Sequence, residues 1–375
     1  MTDWSLAFIA HDVHRRGGQE RAAAEILSRV SPRARVTVIA RTCEISGVDW
    51  IRIGGPTRPS VLRTWAFARA ARTAERRAGC TITNSIGAAA LDADVITAQF
   101  CHAAFTARFG GIRGGSMLGA MYQRVAQAWF VAEERRAYGS PRLRQVIAVS
   151  HGTAAELHEH YGVPMDRISV VPNGVDHTRF RPAVTPEAKA ALRAHLGLPA
   201  TALLALFVGG DWERKGVRDA IAAVGGAPDV HFVIVGRGDS AAIHAYAGRV
   251  GASGRVHVVP PTPAPEDYYA ACDCFLFPSR YEAFSLVTLE AAASGLPIIC
   301  HRINGTDELI AEGNNGWLVP FGPEQLRERL VQLRDDRVLL ARMADAAVKS
   351  SRRYAWDRVA DEYFEVLAAA ARRTS

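Results

Sequence analysis

Strand-length apolar segments alternate with helical patterns along the whole chain, and that alternation limits the fold more than any other feature. A first series runs Leu6–Ala10, Val36–Ala40, Thr81–Asn84, Val95–Phe100, Val146–Ser150 and Ile168–Val171. After Pro182 a second begins: Leu203–Val208, His231–Val235, Val256–Val259, Cys274–Phe277, Pro297–Cys300 and Gly316–Val319. Strands separated by helices predict βαβ units and parallel sheets, so two series predict two doubly wound α/β domains. The 375 residues suffice for both at roughly 150 residues per domain. The turn-forming stretch Pro172-Asn173-Gly174-Val175-Asp176 marks the linker. The expected domains are therefore 1–176 and 177–352, with a C-terminal helix over 353–375 returning to the first domain. Open parallel sheets bind ligands at the carboxyl ends of their strands. Two such domains facing across a cleft would present those loops to one substrate.

Composition excludes several classes. With 49% hydrophobic and 22% charged residues, the chain has the balance of a globular protein rather than a disordered one. No apolar run approaches the roughly 20 residues of a membrane span, and the start of the chain lacks the form of a signal peptide. The expectation is a cytoplasmic protein. The six cysteines show no C-x-x-C pairing, so no zinc or redox centre is expected. The net charge of +7 is uneven: residues 1–180 hold 23 Lys and Arg against 15 Asp and Glu, and the remainder 22 against 23. An excess confined to the first half suggests that this domain meets something acidic.

Two loops carry the candidate chemistry. The first, Gly209 to Gly216, follows a strand and precedes a helical pattern. In it Arg214 and Lys215 can hold a diphosphate, one as a planar fork and the other as a point charge. The second follows strand Cys274–Phe277. Glu282 falls in the loop, and Glu290 about a turn inside a helix expected to begin near Phe284. The free N–H groups of Phe284, Ser285, Leu286 and Val287 would form an anion site at that helix start, with a carboxylate on either side for sugar hydroxyls. Asp92-Ala93-Asp94 has the form of a D-x-D metal motif, but Asp94 starts a strand and no metal site is expected. His11, Asp12 and His14 are read as loop residues rather than cation ligands.

The stretch Glu282 to Glu290, continued by Ala291-Ala292-Ala293-Ser294-Gly295-Leu296-Pro297 and Asn304-Gly305-Thr306-Asp307-Glu308, resembles the donor-site signature of the retaining glycosyltransferases of family 4, which have the GT-B fold. Arg214-Lys215-Gly216 matches that family's basic pair, Asn173-Gly174-Val175-Asp176 its linker and Gly17-Gly18 its N-terminal glycine loop. The segment Phe207 to Val217 looks most like the lipopolysaccharide-core glucosyltransferase branch. The similarity covers nearly the whole chain.

The resemblance implies roles residue by residue. Arg214 and Lys215 would bind the donor diphosphate, Glu290 the ribose and Glu282 the donor sugar, with Phe284, Ser285 and Leu286 at the anion site. Thr262 would lie beside the base, Gly17 and Gly18 would let their loop approach the phosphates, and His102 would stand near the sugar. The family usually has Gly where Ser285 stands and Gly-Gly where Asn304-Gly305 stands. The implied activity is transfer of a hexose, expected from a UDP-hexose, to a hydroxyl of a glycan, lipid-linked or small-molecule acceptor, with retention and without a metal. The nucleotide sugar is a substrate, so no cofactor is expected, and no nucleic-acid partner. A GT-B sugar-nucleotide epimerase or phosphorylase, or a non-catalytic glycan-binding protein, remain alternatives. Arg63, Arg69, Arg72, Arg76 and Arg77, on a helical segment with Val61, Leu62, Trp65 and Phe67, suggest peripheral contact with an anionic membrane on its inner face. The glycine-rich stretch around Ile112, Met117 and Leu118 reads as a loop closing over the acceptor.

Overall fold

A computed structural model describes residues 3–109 and 117–372, without the side chains of residues 117, 118 and 120. Of the glycine-rich stretch expected to close over an acceptor, residues 110–116 lie outside the described residues, and Met117 and Leu118 belong to a helix rather than a loop. The chain forms two compact units, residues 1–173 with 356–375, and residues 174–355.

The first unit contains β1 (Ser5–Ile9), β2 (Asp12–Val13), α1 (Gln19–Val30), β3 (Arg35–Ala40), β4 (Thr42–Cys43), β5 (Asp49–Arg52), α2 (Ser60–Ala78), β6 (Ile82–Ile86), β7 (Val95–Ala98), α3 (His102–Phe109), α4 (Met117–Tyr138), β8 (Gln145–Ala148), α5 (His151–Tyr161) and β9 (Ile168–Val170). Its main sheet is parallel in the order β5-β3-β1-β6-β7-β8-β9, and β2 pairs with β4 in a small separate ladder. Central strands β1 and β7 are largely apolar because helices cover both faces of such a sheet, and the buried polar residues of β6, Thr83, Asn84 and Ser85, are hydrogen-bonded.

The second unit contains α6 (Pro186–His195), β10 (Leu203–Val208), α7 (Val217–Gly225), β11 (Val230–Val235), α8 (Ser240–Arg249), β12 (Val256–Val259), α9 (Pro265–Ala271), β13 (Cys274–Phe277), α10 (Leu286–Ala293), β14 (Ile298–His301), α11 (Thr306–Leu309), β15 (Gly316–Val319), α12 (Pro323–Asp335) and α13 (Arg337–Ser351). Its parallel sheet has the order β12-β11-β10-β13-β14-β15. The chain then re-enters the first unit as α14 (Trp356–Arg372). One face of α14 is buried, and Tyr363 donates to Asn84 Oδ1 at 2.6 Å on the core side of β6. On the opposite edge Asp357 and Asp361 meet Arg29 at 2.6 Å and Arg33 at 2.7 Å.

Strand order tells where each sheet can bind. In the second unit it reverses between β10 and β13, and in the first between β1 and β6. Loops leaving the carboxyl ends of such neighbours diverge and leave a crevice.

Candidate functional site

Both candidate loops of the second unit leave its reversal point. At the end of β10, Gly209 has φ +143°, and a Cβ there would lie 3.0 Å from Lys215 Nζ, so glycine makes room for the ammonium. Gly216 ends the loop at φ +68°, where a Cβ would stand 2.1 Å from the carbonyl oxygen of Pro278. The loop can therefore press its backbone onto the one after β13, where Arg280 N–H donates to the Arg214 carbonyl at 3.1 Å.

This contact brings Arg214, Lys215 and Glu282 together. Arg214 Nη1 donates to the Tyr281 carbonyl and, at 3.1 Å, to Glu282 Oε1, while its Nε holds Asp211 at 2.6 Å. Lys215 Nζ lies 3.6 Å from the same Glu282 oxygen and 5.1 Å from the centre of the Phe277 ring. Burial works against the Arg214 charge, but Glu282 and Asp211 outweigh it and hold the guanidinium above its usual pKa. Ser279, fully buried, donates to Glu282 Oε1 at 3.0 Å. Two cations thus converge on one carboxylate oxygen, an arrangement suited to a more highly charged anion in its place.

The helix after β13 begins later than the sequence suggests. Its first residue is Leu286, with Ser285 as an N-cap whose side chain makes no capping bond. Phe284, expected among the first helical residues, precedes the helix and packs over Gly305, where a Cβ would be 2.3 Å from its ring. The Phe284 ring, held against Gly305, stands outside the helix, and Ser285 takes the extended conformation of an N-cap. Glu290 is buried on the second turn of α10 and accepts from Tyr269 Oη at 2.8 Å. Thr262 follows β12, its hydroxyl bonded to Ala264 N–H at 3.2 Å.

The other singled-out residues belong to the first unit. Gly17 has φ +85°, and a Cβ there would lie 2.5 Å from Glu20 Oε2; Gly18 is the N-cap of α1, with open space where its Cβ would be. His102 opens α3. It lines a pocket of about 280 Å³ at the β1/β6 reversal, together with His11, Gln19, Arg63, Gln99, Phe130, Glu133, Glu134 and residues 86–89. His11 Nδ1 and Arg63 Nε are buried there without a bonding partner among the described residues. Burial lowers His11 to about 4 and raises Glu134 to about 7, the latter against the bonds from the Tyr161 hydroxyl and the His102 N–H. The D-x-D pattern is structural. Asp94 accepts from Thr83 N–H at 2.9 Å and Arg142 at 2.8 Å, and Asp92 from Ser140 at 2.9 Å and Arg72 at 3.2 Å.

The family model described as Glycosyltransferase Family 4 matches residues 16–179, and the one described as Glycosyl transferases group 1 matches residues 188–350. The chain belongs to the GT-B glycosyltransferases of family 4. Among the chain's curated relatives is the D-inositol 3-phosphate glycosyltransferase of Streptomyces bingchenggensis, 33% identical over 64% of this chain and 56% of that protein. The protein of the same name from Xylanimonas cellulosilytica is 36% identical over 61% of this chain and 59% of its own length. The chain thus spans a little over half the length of these relatives. WaaG, a glycosyltransferase involved in lipopolysaccharide biosynthesis, superposes with a TM-score of 0.82 over 96% of this chain and 99% of its own, at 22% identity. Anabaena HepE in complex with UDP and glucose gives 0.77 over 98% and 100%, at 19% identity. These two likenesses establish the fold.

Sequence reasoning missed Ser279, Tyr269 and the α4 residues around His102. Ser279 lies inside the second candidate loop, but nothing in the sequence marks it as buried against Glu282. Tyr269 reaches Glu290 across 21 residues of chain, a purely tertiary contact.

Proposed function

We propose that this chain moves a hexosyl group from a nucleoside-diphosphate sugar, a UDP-hexose in the first instance, to an acceptor hydroxyl with retention at the anomeric carbon. The observation that carries this reading is the convergence of Arg214 and Lys215 on Glu282 at the reversal point of the second sheet. In the reaction the diphosphate takes over the two cations from Glu282. Negative charge grows on the leaving phosphate as the glycosidic bond breaks, and pre-placed cations lower that barrier. The released Glu282 carboxylate is then free for hydroxyls of the sugar, and Glu290 holds the ribose. Retention is assigned to front-face displacement, with the leaving phosphate accepting the proton of the attacking hydroxyl. The cationic work at the leaving group falls to side chains, and the reading calls for no metal.

The acceptor is assigned to the pocket of the first unit, whose 280 Å³ and mixed amide, imidazole, carboxylate and aromatic lining suit a single sugar or cyclitol ring. D-inositol 3-phosphate belongs in the acceptor panel because the curated relatives carry that name. No helix among the described residues is long and apolar enough to cross a membrane. Exposed Leu62 and Trp65 on α2 do suit its surface, beside Arg69, whose guanidinium lies 5.4 Å from the Trp65 ring centre, and Met121 and Val125 on α4 are exposed as well. Arg63 and Phe67 do not belong to this exposed group, since Phe67 is core and Arg63 lines the pocket.

The test is incubation with UDP-hexoses and GDP-mannose, with and without the acceptor panel. UDP release that depends on acceptor, with an α-donor giving an α-product, supports transfer with retention. Epimerisation without acceptor, or an inverted product, contradicts it. Co-sedimentation with anionic vesicles should fall with salt and in Arg69→Gln; no binding at low salt removes the membrane contact.

A further inference from the structure

His102 is held by three residues on one face of α4. Gln127 Oε1 lies 3.0 Å from the imidazole Nδ1. The Phe130 ring stacks on the imidazole, centroids 4.9 Å apart and planes within 17°. Glu134 Oε2 accepts the backbone N–H of His102 at 2.9 Å and also the hydroxyl of Tyr161. Spacings of three and four residues put all three on one helical stripe, and Phe100 meets the imidazole from another side at 4.8 Å and 60°. The ring is therefore fixed in position, plane and rotation.

Gln127 presents its amide oxygen to Nδ1. An amide oxygen only accepts hydrogen bonds, so with the amide in this orientation the imidazole proton sits on Nδ1. Burial keeps the imidazole below its usual pKa, against the pull of Gln127, so at neutral pH the ring carries one proton. Nε2 is then a lone pair on a ring that lines the first-unit pocket. In two-nitrogen imidazoles the bond made by one nitrogen sets what the other can do.

We propose that Gln127 is a positioning residue for the transfer reaction: it holds His102 as the Nδ1–H tautomer, so that Nε2 accepts a hydrogen bond from a substrate hydroxyl and cannot donate one. This rests on the reading that the first-unit pocket, which His102 lines, receives the acceptor ring. That ring must then offer a hydroxyl proton at this point, and an acceptor analogue with fluorine there, which cannot donate, is rejected.

The experiment is long-range ¹H–¹⁵N correlation of the imidazoles in the free full-length chain, with His102 assigned by loss of its signals in His102→Gln. The expected spectrum shows a protonated Nδ1 and a bare Nε2. In Gln127→Leu the proton should move to Nε2, kcat should fall about tenfold, as for one lost hydrogen bond, and UDP affinity should stay unchanged. Gln127→Glu, which keeps an accepting oxygen, should retain the Nδ1–H tautomer and recover most of the lost kcat in mildly alkaline buffer, where the ring stays neutral. A bare Nδ1 in the unaltered protein overturns the proposal whatever the variants do, and so does an unchanged kcat in Gln127→Leu after the tautomer has switched. The spectrum is read without substrate, so it stands apart from the functional reading. An unchanged kcat in His102→Gln would count against that reading instead.

Discussion

Removing Lys215 should separate catalysis from folding more cleanly than removing its neighbour. Lys215 Nζ has Glu282 at 3.6 Å and the face of Phe277 at 5.1 Å as its partners. At an effective dielectric of about 20, one unit charge 3.6 Å away contributes roughly 4–5 kcal/mol before desolvation is counted. Desolvation brings that down toward the ~2.7–4 kcal/mol seen when one charge-stabilising donor is lost from a transition state. Lys215→Met keeps the apolar stem against Phe277, so it should lower kcat by about 10²–10³-fold, and its stability cost is limited because Glu282 keeps Arg214 and Ser279 as partners. Arg214→Ala should cost similar activity and more stability, because the Tyr281 carbonyl and the Asp211 carboxylate also lose their donor. Loss of a charged donor from a part-buried carbonyl and a carboxylate costs about 1–3 kcal/mol, several degrees in Tm for a unit of this size. Since both cations meet one Glu282 oxygen, the double variant should lose less than the product of the single losses. The assay is UDP release under saturating donor, with Tm by scanning calorimetry on the same preparations. Near-normal turnover in Lys215→Met, or losses of activity in all three variants that simply follow Tm, would refute the assignment of charge work to this pair.

Further outcomes follow from the same contacts. Glu290→Ala should weaken binding of free UDP, and Tyr269→Phe should weaken it about tenfold by releasing the bond that aims Glu290; Glu282→Ala should impair transfer without weakening UDP, and calorimetry showing the reverse would exchange the roles. Asp273 is buried between Lys189 and Arg193, both at 2.7 Å, and accepts the Leu204 N–H at 2.8 Å; Asp273→Ala should destabilise the second unit by about 3–5 kcal/mol, and a denaturation midpoint close to that of the unaltered protein would contradict this. Burial lowers His11 and His301 to about 4. Each binds its proton more readily unfolded, so their share of stability is complete above pH 6.5 and declines toward pH 4, by about 1.4 kcal/mol per pH unit for each residue. His301→Leu should flatten that acid limb, and an unchanged slope would show that His301 is not buried in its neutral form.

Elements buried on both faces were readable because an unbroken apolar run has few other uses. Edges were not. β5 (Asp49–Arg52) pairs with β3 as an edge strand, its residues largely exposed, and Asp-Trp-Ile-Arg gives no continuous run. The two-residue β2 and β4 are too short for any periodicity. The start of α10 slipped by two residues because Phe284 is held by Gly305, a contact from another loop. Residues of the candidate site were legible where chemistry and sequence neighbours coincide, as in Arg214-Lys215 or Glu282. They were illegible where a partner comes from elsewhere: Gln127 is one polar residue on a long helix until the fold sets it against His102, 25 residues away. On α2 the arginines form a single exposed face in the helical reading. Thr64, Phe67, Ala71 and Ala74 define the buried stripe, and Arg63, one turn before Phe67, is carried to the pocket side.

The most direct measurement is calorimetric titration of the full chain with UDP, and in parallel with GDP and ADP, for the unaltered protein and Lys215→Met. It requires no knowledge of the acceptor and reads the leaving-group site alone. One site per chain for at least one nucleoside diphosphate, strongest for UDP and weakened at least about tenfold in Lys215→Met, is the predicted result. No binding of any of the three to a folded protein, or equal affinity in the variant, would contradict the claim that Arg214 and Lys215 hold the diphosphate of a sugar donor.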